Sequence, residues 1–199
     1  MLRVGLTGGI ASGKTTVATL LKKHGYEVLD ADSLGHQLMA PDLPAYGEIV
    51  REFGRDVVAH DERIDRAKLG AIVFADAEKR AKLNAILHPR ILAHVQEWFS
   101  LLDRRDGPAF AFVEAALLVE AGYKSWLDRL VVCWSKPEQQ MDRLVRRGLS
   151  REQAKLRLAA QMPVDEKRRL ADDVIDCSGS LEETERQVGK LIETLKRAA

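Results

Sequence analysis

The segment Gly8–Thr15 contains three glycines, ends in Gly-Lys-Thr and matches the pattern G-x-x-x-x-G-K-[ST]. A short apolar run, Arg3–Thr7, precedes it, and a helical pattern, Thr16–His24, follows it. In this strand–loop–helix setting the glycines let the backbone wrap an anion, so that loop and helix N–H groups point at its oxygens. The lysine of such a loop reaches the outer phosphates, and the threonine hydroxyl ligates Mg²⁺. The segment therefore predicts a phosphate loop that binds a nucleoside triphosphate.

Short apolar runs alternate with longer helical patterns along the 199 residues, which is typical of βα units around a parallel sheet. The runs predict five strands: Arg3–Thr7, Glu27–Asp30, Phe110–Glu114, Leu130–Trp134 and Val174–Asp176. Each run meets a polar or glycine-rich segment at its carboxyl end, the edge at which open α/β sheets bind ligands. The expected fold is a three-layer α/β P-loop NTPase fold around a parallel five-stranded sheet.

Two helical stretches are longer than a crossover between strands requires. The first, 33–105, is predicted to be an insertion with helices over Ala45–Phe53, Arg66–Phe74, Ala77–Leu87 and Ile91–Leu102. Within it, Pro89 is expected to force His88 out of helical geometry and to begin a new helix. The second, 137–171, holds six basic residues against one acid over Arg143–Arg157 and is predicted to be a lid. The single domain 1–199 then has a core of 1–32, 106–136 and 172–199.

Two S-x-x-[EQ] patterns predict helix starts. Ser150 with Gln153 is expected to form a capping box at the second lid helix. Ser180 with Glu183 is expected to do the same at the final helix, Leu181–Lys196.

Composition excludes several classes of protein. The 31 basic residues nearly balance the 30 acidic ones, which argues against a nucleic-acid coat or an acidic disordered tail. No apolar run approaches the ~18–20 residues that span a bilayer, and the first residues lack the features of a signal peptide. Cys133 and Cys177 form no CxxC or Cys/His pattern, which argues against a zinc site or a disulfide framework. The chain is therefore expected to be cytoplasmic, without nucleic-acid or membrane partners.

Other residues favour a small-molecule kinase over other phosphate-loop proteins. The single asparagine, Asn84, does not begin an N-K-x-D guanine-binding motif, which argues against a GTPase. A kinase needs a carboxylate near the attacking hydroxyl and a lid that closes on ATP. Asp32 is a candidate carboxylate, although its side chain could instead cap the following helix. Glu114 could act on Mg²⁺ through water or pair with a neighbouring side chain.

A series of motifs covers nearly the whole chain in a fixed order. They are Val4–Lys14, Asp30–Asp32, Leu87–Pro89, Leu117–Glu120, Gln140–Ser150, Gln161 and Ala171–Gly179. In this combination the chain resembles the dephospho-coenzyme A kinase family. The resemblance implies a nucleoside-monophosphate-kinase-like fold with a helical acceptor-binding insertion and a lid. It implies transfer of the ATP γ-phosphoryl group to the ribose 3′-hydroxyl of dephospho-CoA, the final step of CoA biosynthesis. The alternative is a P-loop kinase for another small hydroxyl or nucleotide acceptor.

The resemblance also implies roles for individual residues. Asp32 would orient the acceptor hydroxyl, and Lys14 would neutralise the transferring phosphoryl group. The metal site would use Thr15 directly, and Asp32 and Glu114 through water. The implied cofactors are ATP and Mg²⁺, and the chain is expected to be a monomer or a weak homo-oligomer.

A lid arginine is expected to stabilise charge in the transition state, and Arg147 is preferred to Arg146 because it shares a helix face with Arg143. The expected ATP-binding residues are Gly8, Gly9, Ile10, Ala11, Ser12, Gly13, Lys14, Thr15, Thr16, Arg143, Arg147, Ser178 and Gly179. The expected substrate-binding residues are Asp32, His88, Pro89 and Leu117. For His88 the alternative is a helix-boundary residue with a satisfied ring.

Overall fold

The computed structural model describes residues 1–105 and 107–199 and contains one parallel five-stranded sheet. Its strands are β1 (Leu2–Gly8), β2 (Val28–Asp30), β3 (Phe110–Glu114), β4 (Arg129–Trp134) and β5 (Asp173–Asp176). Their order is β2-β3-β1-β4-β5, and every neighbouring pair is parallel. The prediction of five parallel strands is confirmed. Residue 106, where the second core segment was expected to begin, lies outside the described residues.

The described residues also form a series of α-helices. They are α1 (Lys14–Lys23), α2 (Ala31–Gln37), α3 (Pro44–Phe53), α4 (Arg66–Ala75), α5 (Ala77–Arg104), α6 (Pro137–Arg146), α7 (Arg151–Ala159), α8 (Val164–Arg169) and α9 (Leu181–Ala198). Both capping boxes are confirmed, at Ser150 with Gln153 for α7 and at Ser180 with Glu183 for α9. Within the described part of the chain, no helix is both long and apolar enough to cross a membrane.

The chain divides into two compact units. The sheet unit comprises residues 1–30 and 97–199, and the helical unit comprises residues 31–96. In the sheet unit, all five residues of β3 are buried, as expected for a parallel strand covered on both faces. One apolar cluster there joins β1, β3, β4 and β5 to α1 and α9. This packing fixes α1, and with it the loop that precedes α1, against the sheet.

The helical unit has an apolar cluster of its own. Its buried members are Leu38, Met39, Ala45, Ile49, Val57, Ile64, Leu69, Val73 and Leu87. They come from α3, α4, α5 and the short segments that connect α2, α3 and α4, so this unit buries a core without using any strand of the sheet.

The prediction that Pro89 begins a new helix is wrong, because α5 runs without interruption through it. A proline inside a helix removes one hydrogen bond and costs about 3 kcal/mol. Here the Arg90 guanidinium donates to the Ile86 carbonyl in the same turn and pairs with Glu48 of α3 at 2.7 Å. Leu87, two residues before the proline, packs in the cluster of the helical unit. These contacts made by the helical unit offset the local preference for a break.

The burial of leucine side chains in α9 predicts the effect of replacing each of them by alanine. Leu195 is fully buried in the cluster of the sheet unit, whereas Leu181 at the start of the same helix is 57% exposed. We expect Leu195→Ala to lower the free energy of unfolding by about 2–5 kcal/mol, because it removes buried methyl groups and leaves a cavity. Leu181→Ala is the control, with an expected change of no more than about 0.5 kcal/mol. Urea denaturation measures both, and equal losses would contradict this assignment of the core.

Candidate active site

The phosphate loop connects β1 to α1, and its backbone at Gly13, just before α1, has a conformation that strongly favours glycine. Gly13 has φ 106° and ψ 5°, in the left-handed region. A Cβ atom added there would lie 2.6 Å from Cys177 Cβ and 2.8 Å from Cys177 Sγ. Within the loop, the Ser12 N–H donates to the Gly9 carbonyl at 3.1 Å. The loop is therefore packed directly on the segment that follows β5.

The lysine of the loop is paired with the acid at the end of β3. Lys14 Nζ lies 2.9 Å from Glu114 Oε1, and the two side chains are only 12% and 6% exposed. Glu114 is in register with Leu6 of β1 on one side and with Asp30 of β2 on the other. Of the two roles predicted for Glu114, the structure shows pairing with a neighbour, and the metal role stays a prediction. The pair places a cation and an anion together at the carboxyl edge of the sheet.

Arg143 of α6 binds two backbone carbonyls. Its Nη1 donates to the Ala11 carbonyl at 3.0 Å, and its Nη2 donates to the Cys177 carbonyl at 2.7 Å. Ala11 has φ 60°, an unfavourable conformation for a residue with a Cβ atom, which persists only where surrounding contacts determine it. The guanidinium thus holds the middle of the phosphate loop against the segment after β5. Arg146 in the last turn of α6 and Arg147 at its C-cap are both exposed.

A second side chain that binds the loop backbone, Gln161, comes from the linker between α7 and α8. Gln161 Oε1 accepts a hydrogen bond from the Ile10 N–H at 2.9 Å. The sequence alone assigns Gln161 no role of its own, because Gln161 and Ile10 are 151 positions apart and no local pattern connects them. Its place among the family-like motifs was the one available signal.

Two thiols lie close to the phosphate loop, and both are free. Burial raises the pKa of Cys133, which lies in β4 and is fully buried. The pKa of Cys177 is lowered, first by a hydrogen bond from the Cys133 thiol and then by the nearby charge of Arg143. Of the two thiols, Cys177 is therefore the one that loses its proton more readily.

The remaining predicted residues are divided between the two units. Asp32 lies in the first turn of α2, which begins directly after β2, and its side chain is exposed. His88 and Pro89 lie inside α5, with His88 half-buried and Pro89 exposed. Asp32, His88 and Pro89 all belong to the helical unit. Leu117 lies after β3 and is partly exposed. The predicted nucleotide residues Ser178 and Gly179 follow β5, and the Ser178 carbonyl accepts a hydrogen bond from Gln139 of α6 at 2.9 Å.

The side chains at the carboxyl edge fit a magnesium–nucleotide complex. Mg²⁺ keeps several waters and takes one or two carboxylates plus phosphate oxygens, so it needs no dedicated protein cage. Among residues 1–105 and 107–199 there is no group of three or more His, Cys, Asp or Glu side chains arranged to hold a metal. The exposed Thr15 hydroxyl and the Glu114 carboxylate are donors of the kind that Mg²⁺ prefers. The Ser12 hydroxyl is buried without a hydrogen-bond partner in the described residues, which leaves one polar atom of the loop for a ligand.

The chain is similar to known proteins over nearly its full length. A family model described as "Dephospho-CoA kinase" matches residues 2–183. A dephospho-CoA kinase of Geobacter metallireducens is 47% identical over 189 residues, which cover 94% of each chain. The crystal structure of TT1252 from Thermus thermophilus has a TM-score of 0.80 at 36% identity, covering 98% of this chain and 97% of the other. A dephospho-CoA kinase from Campylobacter jejuni has a TM-score of 0.70 at 28% identity, covering 98% of each.

The conformation of Gly13 predicts a selective loss of nucleotide binding. We expect Gly13→Ala to raise the dissociation constant for ATP at least about tenfold, because the new Cβ atom would collide with Cys177 and displace the loop. Gly25→Ala is the matched control: Gly25 follows the other end of α1, has φ 84° and has no atom within 4 Å of an added Cβ. Both variants carry left-handed strain of about 1–2 kcal/mol, measurable by urea denaturation. Isothermal titration with ATP should separate them, and equal affinities would contradict this account.

Proposed function

Because the chain belongs to the dephospho-CoA kinase family, we propose that it transfers the γ-phosphoryl group of ATP to the ribose 3′-hydroxyl of dephospho-CoA. The products are coenzyme A and ADP, and the reaction completes coenzyme A biosynthesis. The observation that carries this proposal is the phosphate loop, held by Arg143 and joined through Lys14 to Glu114 at the carboxyl edge of the sheet. A pure nucleotide-binding switch would need neither the arginine-rich lid nor a carboxylate at Asp32.

The nucleotide side of the reaction follows from the loop. Phosphoryl transfer leaves little covalent work to the protein, so positioning and charge stabilisation dominate. The N-terminus of an α-helix presents N–H groups and the positive end of the helix dipole, so the start of α1 is suited to phosphate oxygens. Lys14 carries the charge that neutralises the transferring group, and Glu114 holds that side chain at the edge of the sheet. Thr15 would hold Mg²⁺ directly, and Asp32 and Glu114 would act on it through water; when bound, the ion would offset further phosphate charge.

The acceptor side rests on Asp32. This carboxylate orients the attacking hydroxyl and receives its proton, and transfer is in line without a phosphoenzyme. The support is its place in the chain, two residues after the carboxyl end of β2, together with an exposed side chain. Asp30, the last residue of β2, is in register with Glu114. Residues His88, Pro89 and Leu117 are proposed to contact dephospho-CoA.

The lid completes the proposed site. Arg143 holds the loop from outside, and Arg147, at the end of the same helix, is assigned to the charge that develops in transfer. Closure of this segment excludes water, which would otherwise compete as acceptor. Backbone groups of Ser178 and Gly179 are proposed to approach the adenine. We further propose a cytoplasmic monomer or weak homo-oligomer without nucleic-acid or membrane partners, consistent with the net charge of +1.

Replacing Asp32 tests the acceptor side. We expect Asp32→Asn to lower kcat by about 10²–10⁴-fold, because the amide cannot accept the hydroxyl proton. The affinity for ATP, measured by titration without acceptor, should stay within about twofold of wild type. Asp42→Asn is the control, since Asp42 is another exposed acid of the helical unit and has no assigned role. Near-normal turnover of Asp32→Asn would exclude the proposed role.

An acceptor panel tests the substrate. ADP formation is measured with dephospho-CoA, with nucleoside monophosphates and without acceptor. Turnover with dephospho-CoA alone is the expected result, and Lys14→Ala should abolish it because charge neutralisation is lost for any acceptor. Turnover with a nucleoside monophosphate instead would favour a kinase for another acceptor. ATP hydrolysis that is insensitive to acceptor would contradict both.

A further inference from the structure

The side chain of Lys167 is completely buried, although it carries a charge and lies on the short helix α8. Its ammonium pairs with Glu120 Oε1 at 2.8 Å and also donates to the Ala116 carbonyl. Burying a charge is costly, and buried ion pairs often stabilise a fold no better than apolar residues of similar size. A role beyond stability therefore has to be sought in what the pair holds in place.

Glu120 binds the linker before α8 as well as α8 itself. The same oxygen, Oε1, accepts a hydrogen bond from the Met162 N–H at 3.0 Å. Met162 follows Gln161, whose side-chain oxygen accepts the Ile10 N–H of the phosphate loop at 2.9 Å. Because adjacent residues are joined by a rigid peptide unit, fixing the Met162 N–H fixes the backbone from which Gln161 reaches the loop.

The same network also includes Thr7, the residue just before the phosphate loop. The Ala116 carbonyl, which accepts from Lys167, accepts a second hydrogen bond from the Thr7 hydroxyl at 3.2 Å. Thr7 lies in β1, immediately before Gly8. The same network is thus bonded to Thr7, just before the loop, and to Ile10 in the first half of the loop.

We propose that Lys167, Glu120 and Gln161 are positioning residues, which fix the linker between α7 and α8 and through it hold the Ile10 amide and the first half of the phosphate loop in the shape that binds ATP. None of the three is required to touch the reacting atoms. The inference rests on the proposed function only in that the loop binds ATP, and it is independent of which acceptor is phosphorylated.

Hydrogen exchange of the Ile10 amide without nucleotide is the direct test, read by NMR on this 22.2 kDa chain. We expect Gln161→Ala to speed exchange of Ile10 at least about tenfold, because the amide loses its acceptor. The double variant Glu120→Leu/Lys167→Met removes the pair without leaving a buried lone charge, and it should have the same effect. The triple variant should exchange no faster than either, since the pair acts through Gln161.

Nucleotide affinity and kinetics provide the functional readout. Titration with ATP alone should show a dissociation constant raised about tenfold in Gln161→Ala and in the double variant. The KM for dephospho-CoA should stay within about twofold of wild type. A wild-type protein that binds ATP but does not phosphorylate dephospho-CoA would overturn the proposed function and leave this test intact.

The matched control is the ion pair Arg129–Asp173, 2.8 Å apart near the amino ends of β4 and β5. Arg129→Met/Asp173→Leu should change the unfolding temperature but neither the exchange of Ile10 nor the affinity for ATP. If the Glu120/Lys167 double variant does not fold, Glu120→Gln replaces it, and its weaker acceptor should give an intermediate exchange rate at Ile10. Wild-type exchange and affinity in folded Gln161→Ala, or in the folded variant of the pair, would overturn the proposal.

Discussion

An anion-binding loop has to leave its N–H groups available and still keep one shape, and this constraint organises the sheet unit. Regular hydrogen bonding would use up the donors that the ligand needs. The shape is imposed instead from outside the loop, by Arg143 on the Ala11 carbonyl and by packing of Gly13 on Cys177. Arg143 and Ala11 are 132 positions apart, so this hydrogen bond forms only once the fold has brought α6 to the loop.

Two lysines near the phosphate loop are each paired with a carboxylate. Glu114 ends β3 and neutralises Lys14, while Glu120 follows β3 and neutralises Lys167. One strand and the segment after it therefore supply both carboxylates. A lysine held beside a carboxylate keeps its position without a ligand, which reduces the reorganisation that phosphate binding requires.

Local signals predicted most of the fold. The bounds Phe110–Glu114 of β3 match the structure residue for residue, and both capping boxes form where S-x-x-[EQ] occurs. The prediction of a helix break at Pro89 was wrong because the preference of proline is local, whereas the ion pair between Arg90 of α5 and Glu48 of α3 depends on the tertiary structure. Lys167 was missed because it lies in a charged run on a short helix, which looks like a solvated surface until the tertiary structure buries it. The placement of Asp32 and His88 as substrate residues stays a prediction.

Most of the residues proposed to bind ATP lie in one compact unit, and most of those proposed to contact the acceptor lie in the other. The sheet unit holds the phosphate loop and its ties, and the helical unit packs its own core. A separate core would allow acceptor contacts in the helical unit to vary without strain on the phosphate loop, so the loop by itself identifies a nucleotide-binding protein and not its acceptor. Asp32 belongs to the helical unit but follows the last residue of β2 by two positions. The carboxylate proposed to handle the acceptor is therefore joined to the end of β2 through a single intervening residue, Ala31.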